Sequence, residues 1–266
     1  MAAEVNEAVE VAHRDGILSA TSLMVSGAAA ADAVARARRL PTLRVGLHVV
    51  LVDGEPTLPP EQLPDLVGGD GRFRTDIAKL GFDIFARPAA RRQMAAEIEA
   101  QFDAYRATGL PLDHVNAHRH FHLHPSIAAA ILAIGPRYGM KAMRVPLEPR
   151  TMLAQIQPAG RAGVAGIAAP FIRALGRRAR RAGLTTPDTV FGLAWSGAMT
   201  TDRVAGLLQL LPQGVTEIYF HPATRDDFLH HAPGYRYRDE LAALTSQEVI
   251  TSARRQDVRT GGYSDV

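Results

Sequence analysis

The residues of this sequence best suited to chemistry are histidines. Five of the ten histidines fall within the eleven residues 114–124, HVNAHRHFHLH. In an extended chain alternate side chains share a face, so His114, Asn116 and His118 point the same way. Neutral imidazole is a common ligand for divalent metals. A strand that runs into a loop here can aim one or two of these rings at a metal. The alternative is a polar loop of hydrogen-bonded histidines.

Two further histidines stand in or after predicted strands. His48 lies on the opposite face of its strand from Leu47 and Val49. A buried imidazole needs a partner, which is either a metal or a hydrogen bond. His221 closes an apolar run and precedes Pro222, which takes the chain out of the strand. At that point His221 is either a general acid or base near neutral pH or a residue that ends the strand.

Other polar or aromatic residues near strand ends are candidates for substrate binding. Asp53, Asp113 and Arg144 lie at such ends, although charged residues there are often only solvated. Trp195 could stack on a sugar ring or belong to the core. Together with the histidine motif, the predicted substrate-binding set is Asp53, His114, Asn116, His120, His122, Arg144 and Trp195.

Short apolar runs alternate with amphipathic stretches along the whole chain, which predicts parallel βα units. We therefore expect an α/β fold, a TIM-like (β/α) barrel of about seven strands, as a single domain over residues 1–266. Active sites of such barrels lie at the C-terminal ends of the strands. A helix starting near Glu4 has no strand before it, so the sequence predicts a distorted barrel with its first strand truncated.

Composition excludes several classes of protein. The net charge of +3 is too small to indicate a nucleic-acid-binding protein. The absence of cysteine excludes thiolate metal sites and disulfides. The start of the chain does not resemble a signal peptide, and no apolar run is long enough to span a membrane. These features predict a cytoplasmic protein.

A basic amphipathic insertion is predicted at about residues 151–185. Apolar residues there are interspersed with the run Arg177-Arg178-Ala179-Arg180-Arg181. Such a helix can rest on an anionic membrane surface, which would make the protein peripheral at the inner membrane. An ordinary outer helix of a barrel with a solvated basic face is the alternative.

Five segments together resemble the YdjC-like carbohydrate deacetylases. They are residues 16–25 (GILSATSLMV), 45–48 (VGLH), 114–122 (HVNAHRHFH), 221–223 (HPA) and 262–266 (GYSDV). The resemblance spans essentially the whole chain. Within the family, residues 4–8 (EVNEA) and 51–56 (LVDGEP) resemble the hopanoid-biosynthesis-associated HpnK branch.

The resemblance implies removal of an acetyl group from an N-acetylated sugar by metal-activated water. It makes His48 and His118 ligands of a divalent metal, either magnesium or zinc, and His221 a proton donor. The substrate is then an N-acetylated sugar or a glycolipid, such as an N-acetylglucosaminyl hopanoid. The family's Asp-Asp-Phe-Gly segment, which supplies the remaining ligand and the general base, is missing here. A homodimer is compatible with the sequence.

Two other functions stay open at this point. One is a catalytically inactive remnant that still binds a sugar, a lipid-linked ligand or a partner. The other is a different metallohydrolase on a related barrel, such as a phosphoesterase.

Overall fold

Five short parallel strands form the framework of the protein, which we describe from a computed structural model covering residues 2–157, 164–255 and 258–266. Three strands form a parallel sheet in the order β1-β2-β3, and two more pair in parallel as β4-β5. Their bounds are β1 Ala20–Leu23, β2 Arg44–Val49, β3 Val115–Ala117, β4 Thr189–Phe191 and β5 Thr216–Ile218.

The helices follow or separate these strands. They are α1 Ala3–Asp15, α2 Ala30–Arg38, α3 Ile77–Ala86, α4 Pro88–Ala107, α5 Pro125–Ile134, α6 Arg150–Ile156, α7 Val164–Arg181, α8 Thr201–Gln209, α9 Tyr237–Thr245 and α10 Gln247–Ala253. Short 3₁₀ helices occupy Pro60–Gln62, His118–Leu123, Gly135–Tyr138 and Tyr263–Asp265. Within the described residues, no helix is both long and apolar enough to cross a bilayer.

Isolated backbone pairings link the two sheets. Val115 bridges to Met143 and Ala142 bridges to Thr185, both in parallel. The Val190 amide then donates to the Leu147 carbonyl at 2.9 Å. The parallel α/β arrangement expected from the sequence is therefore confirmed.

A closed barrel is not seen in the described part of the chain. There β1 pairs only with β2 and β5 pairs only with β4, so each is an edge strand. Between the two sheets, Ala142 and Met143 contribute only isolated bridges and no further named strand. The seven-stranded TIM-like barrel stays a prediction.

The helix α4 shows how the sequence builds the core. Met94, Ile98, Phe102 and Tyr105 recur at spacings of three or four residues and are all buried. Pro88 stands in the first turn, where a missing amide hydrogen costs nothing. The Tyr105 hydroxyl donates to the Val45 carbonyl at 2.7 Å, which ties α4 to β2 and fixes the strand that carries His48.

Part of the predicted basic insertion can be described. It contains α6 and α7, while residues 158–163 and the side chains of 164–168 lie outside the described residues. In α7, Ile172, Leu175 and Ala179 are buried against the large core, and the arginines between them point outward. This segment is thus an amphipathic helix packed on the domain.

Candidate active site

One cavity of about 2120 Å³ lies between the edge strands β1 and β5. Both edges line it, together with the loops after β2 and β3. Eight of the residues singled out from the sequence line this cavity: His48, Asp53, His114, Asn116, His118, His120, Arg144 and His221. Residues from four separate stretches of the sequence therefore meet in one place.

His48 and His118 face each other in this cavity. Their ring centroids are 5.7 Å apart, with the ring planes at 70°. His48 and Asn116 are register partners on β2 and β3, and His48 Nδ1 lies 2.5 Å from Asn116 Oδ1. Burial lowers the pKa of both histidines, that of His118 to about 4. Both rings are therefore neutral at pH 7 and carry lone pairs for a ligand.

The backbone is strained directly after His118, in the segment that follows β3. Arg119 and His120 adopt the left-handed region, with φ of 50° and 53°. Such conformations are uncommon for residues other than glycine and cluster at functional sites. Asp53 also has a positive φ of 53°, and its carboxylate pairs with Arg119 at 2.9 Å. Asp53 is therefore held at the rim of the cavity by Arg119.

His120 and Arg144 both contact Tyr219. His120 Nε2 lies 3.1 Å from the Tyr219 hydroxyl, and the Arg144 guanidinium lies 4.6 Å from the centre of the Tyr219 ring. Arg144 also makes a bidentate ion pair with Glu217 and is only 7% exposed. The charge of Arg144 is thus paired with Glu217. The face of the Arg144 guanidinium that contacts Tyr219 borders the cavity.

His221 lies across the cavity next to two tyrosines. Its ring is 5.5 Å from that of Tyr219 and 5.2 Å from that of Tyr235. Its backbone amide donates to the buried Glu240 carboxylate, whose pKa burial raises to about 7. His221 Nδ1 is buried without a partner. Burial and the charge of Arg144 lower the pKa of His221 to about 4, so the imidazole is neutral near pH 7.

Two predicted substrate-binding residues lie outside the cavity. His122 is fully buried, and its Nε2 donates to the Arg144 carbonyl at 3.1 Å. The strand alternation behind its prediction ends at Ala117, and the helical turn that follows directs His122 into the core. Trp195 is 5% exposed and packs in the second core cluster, beneath the guanidinium of Arg203.

The buried His122 makes stability depend on pH. Burial, followed by the charge of Arg144, lowers its pKa from 6.5 to about 3 in the folded protein. The unfolded chain therefore binds a proton more readily between these values, and stability falls as pH drops below about 6.5. Each pH unit within that window costs up to about 1.4 kcal/mol.

We expect His122→Gln, which keeps a donor for the Arg144 carbonyl but does not titrate, to lose less stability on acidification. Urea unfolding at about pH 7 and about pH 5 should show a loss smaller by about 1–2 kcal/mol than in the unchanged protein. Equal losses in the two proteins would contradict a neutral, buried His122.

The two imidazoles fit part of a metal site. A catalytic metal site usually takes three protein ligands, and His48 and His118 supply two neutral imidazoles whose ring centroids are 5.7 Å apart. Among the described residues, no group of three histidine, cysteine or carboxylate side chains could hold a metal. The run Asp226-Asp227-Phe228 is the closest match to the family's acidic segment. Asp227 is 83% exposed there and pairs with Arg225, so it does not complete the set.

Several residues that shape the cavity were not found from the sequence. Ser22, Glu217 and Tyr219 line it, and each makes a hydrogen bond to a histidine or an arginine of the site. The available signal was the alternation of Glu217, Tyr219 and His221, which places all three on one face of an extended chain. Ser22 gives no comparable signal, since nothing in its sequence neighbourhood is polar in alternation with it.

Comparisons with known proteins identify a family and a fold. Residues 1–255 match the family described as YdjC-like protein. The chain is 32% identical over 273 residues to a carbohydrate deacetylase of Vibrio vulnificus (strain CMCP6), covering 98% of this chain and 90% of the relative. It is 26% identical over 262 residues to a carbohydrate deacetylase of Thermoanaerobacter pseudethanolicus, covering 98% and 92%.

A solved structure shares the fold. A protein of Enterococcus faecalis V583 named for cellobiose-phosphate cleavage aligns with a TM-score of 0.74 at 23% identity. The alignment covers 99% of this chain and 94% of that one.

Proposed function

Because the chain belongs to the YdjC-like protein family, we propose that it is a carbohydrate deacetylase, a hydrolase that cleaves the acetamide bond of an N-acetylated sugar. The observation that supports this most is the pairing of His48 with His118 in a cavity that also contains His221. The relatives named as carbohydrate deacetylases match over nearly their full length and point to the same activity.

We assign His48 and His118 to a divalent metal, magnesium first and zinc as the alternative. When bound, such a cation polarises the acetamide carbonyl and lowers the pKa of a coordinated water. Hydrolysis consumes one water and yields acetate and an amine, so a proton must reach the amine nitrogen. The neutral imidazole of His221 would take up a proton and deliver it to that nitrogen.

The metal assignment predicts a difference between the unchanged chain and His118→Ala. We expect the unchanged chain to bind zinc, manganese or magnesium weakly, because the described residues offer only two ligands. His118→Ala should bind at least about tenfold more weakly still, since losses of 10–100-fold are typical even for outer-shell residues. Isothermal titration of each metal into both proteins tests this. Equal binding by the two would contradict the assignment.

The carboxylates of the proposed reaction are assigned by the resemblance to an Asp-Asp-Phe-Gly segment. By the same resemblance that segment follows a strand, and the edge strands β1 and β5 both border the cavity. The test compares acetate release from an N-acetylglucosaminyl substrate by the 266-residue chain and by a chain extended with such a strand at its N-terminus.

The outcomes of that comparison separate the three functions. Metal-dependent acetate release by either form supports the deacetylase. Hydrolysis of phosphate esters with no acetate release by either form would indicate another metallohydrolase. Binding of the sugar or glycolipid without hydrolysis by either form would indicate a catalytically inactive protein.

For the natural substrate we propose an N-acetylglucosaminyl lipid of the hopanoid type, reached at a membrane surface through α7. Phe171 is 56% exposed on this helix, and Arg177, Arg178 and Arg181 are exposed in its C-terminal part. Each basic residue near an anionic membrane contributes about 1 kcal/mol of attraction.

The double variant Arg177→Ser/Arg178→Ser should therefore sediment less with vesicles that contain anionic lipid at low salt. Arg91→Ser/Arg92→Ser removes two exposed arginines from α4 and is the matched control, which should sediment like the unchanged chain. If the unchanged chain does not sediment at low salt, the membrane contact is contradicted.

A further inference from the structure

A chain of hydrogen bonds leads from a buried carboxylate to His48 through three other side chains. Asp113 Oδ2 lies 2.8 Å from His114 Nδ1, and His114 Nε2 lies 2.9 Å from Ser22 Oγ. Asn116 Nδ2 lies 2.9 Å from the same hydroxyl oxygen, and Asn116 Oδ1 lies 2.5 Å from His48 Nδ1. The four contacts connect residues of all three strands of the first sheet.

In the hydrogen bond between Asp113 and His114, only His114 can be the donor. The Asp113 carboxylate accepts from the Tyr263 amide at 3.1 Å, the Ser264 amide at 2.9 Å and the Ser264 hydroxyl at 2.7 Å. With so many donors around it, the group is an ionised carboxylate, which can only accept. His114 must therefore donate from Nδ1, and its Nε2 is the ring nitrogen that faces the Ser22 hydroxyl.

The remaining directions follow from the first. Because the Asn116 amide nitrogen can only donate, Ser22 accepts from Asn116 Nδ2 and directs its own hydroxyl hydrogen to its other partner, His114 Nε2. Asn116 then presents Oδ1 to His48, so His48 must donate from Nδ1. Rotating the Asn116 amide by 180° would place its oxygen beside two atoms that act as acceptors, because the Ser22 hydrogen is already donated to His114. One of these is Ser22 Oγ, and the other is His114 Nε2, which lies 3.4 Å from the present position of Asn116 Nδ2.

We call this hydrogen-bonded chain from Asp113 through His114, Ser22 and Asn116 to His48 the relay. It is held in place by packing on both sides of the His114 ring. A Cβ atom at Gly46 would lie 2.6 Å from His114 Cε1 and 2.7 Å from Nδ1, so only glycine leaves room for the ring. On its other side the ring stacks on Tyr263, with centroids 4.6 Å apart. The orientation of His114 is therefore fixed by the fold.

We propose that Asp113, His114 and Ser22 are positioning residues that act through Asn116 to fix the tautomer of His48. In this tautomer Nδ1 carries the hydrogen and Nε2 keeps its lone pair for a ligand in the cavity. A histidine that binds metal commonly donates its other ring nitrogen to an outer partner, which orients the ring and raises its basicity. Here the outer partner is Asn116, and Ser22 and His114 connect it to the ionised carboxylate of Asp113.

The tautomer is measured directly by nuclear magnetic resonance of the metal-free chain labelled with ¹⁵N-histidine. Two-bond correlations between ring nitrogens and carbon-bound hydrogens distinguish a protonated from an unprotonated nitrogen. We expect His48 to show one form, with Nδ1 protonated and Nε2 unprotonated. The His48 signals are assigned by their loss in His48→Gln.

Ser22→Ala removes the central hydroxyl and should turn the His48 signals into an average of two tautomers. Ser22→Thr keeps the hydroxyl and should restore the single form. Ser19→Ala is the matched control, because the Ser19 hydroxyl donates to the Gly261 carbonyl and lies outside the relay. An unchanged single tautomer in Ser22→Ala would overturn the proposal. So would a wild-type His48 protonated at Nε2, a result that needs no variant to fold.

Zinc titration of the same proteins separates this proposal from the proposed function. The relay exists without metal, whereas its effect on binding rests on the proposed site. Ser22→Ala should lower zinc affinity by about tenfold relative to Ser19→Ala. If neither the unchanged chain nor any of the variants binds zinc, the proposed metal site is contradicted. The tautomer of His48 in the metal-free chain then still tests the relay.

Discussion

Replacing His221 by alanine should lower the rate of acetate release by a factor of roughly 10² to 10⁴, the usual contribution of an acid–base group. The melting temperature should change little, because His221 Nδ1 makes no hydrogen bond and the backbone at this position is held by Glu240 instead. The rate is measured in whichever form of the chain releases acetate, and the melting temperature by calorimetry.

The control for His221→Ala is His231→Ala, which changes an exposed histidine on the rim of the same cavity. It should leave turnover unchanged. A large loss of stability in His221→Ala without a specific loss of turnover would show that His221 ends the strand and has no part in proton transfer.

Replacing Arg144 by methionine should destabilise the protein by about 3–5 kcal/mol, because it leaves the Glu217 carboxylate, whose side chain is only 16% exposed, without its partner. Glu217 is paired with Arg144 through two nitrogens and also accepts from the Tyr263 hydroxyl at 2.5 Å. Burial alone would raise the pKa of Glu217, and the charge of Arg144 holds it below its usual value. Urea unfolding at neutral pH measures the loss.

The double variant Arg144→Met/Glu217→Leu should recover most of that stability, since apolar replacement of a whole buried pair is often neutral. The difference between the single and double variants separates an unpaired charge from lost packing. If Arg144→Met costs less than about 1 kcal/mol, the pair behaves as a solvated surface pair.

Local patterns in the sequence were sufficient to predict the helix α4 and the parallel α/β class. The apolar spacing of Met94, Ile98, Phe102 and Tyr105 predicts a helix from Arg91 to Ala107, and α4 starts three residues before Arg91, at Pro88. The parallel α/β class follows from alternating strands and helices, which is also a local property. The helix α3 was not predicted, although Asp76 stands at its N-cap position and is a residue type that often starts a helix.

The same distinction applies to the site. His48, His118 and His221 could be named from residue type, strand position and family resemblance. Whether these three side chains lie close together depends on the strand register. The register that pairs His48 with Asn116 is set by the tertiary structure. His122 shows the limit of alternation, because the backbone leaves the strand after Ala117 and turns that ring into the core.

The sequence by itself determined the chemical groups available to this protein: imidazoles at strand ends and no thiolates. Only the tertiary structure decided their protonation and direction. Burial sets the pKa values of His118 and His221, and the contact of Asp113 with His114 and of Ser22 with Asn116 orients the relay to His48. Solvation and hydrogen-bond direction depend on atoms distant in sequence, such as Ser22 and Asn116, which only folding brings within 3 Å.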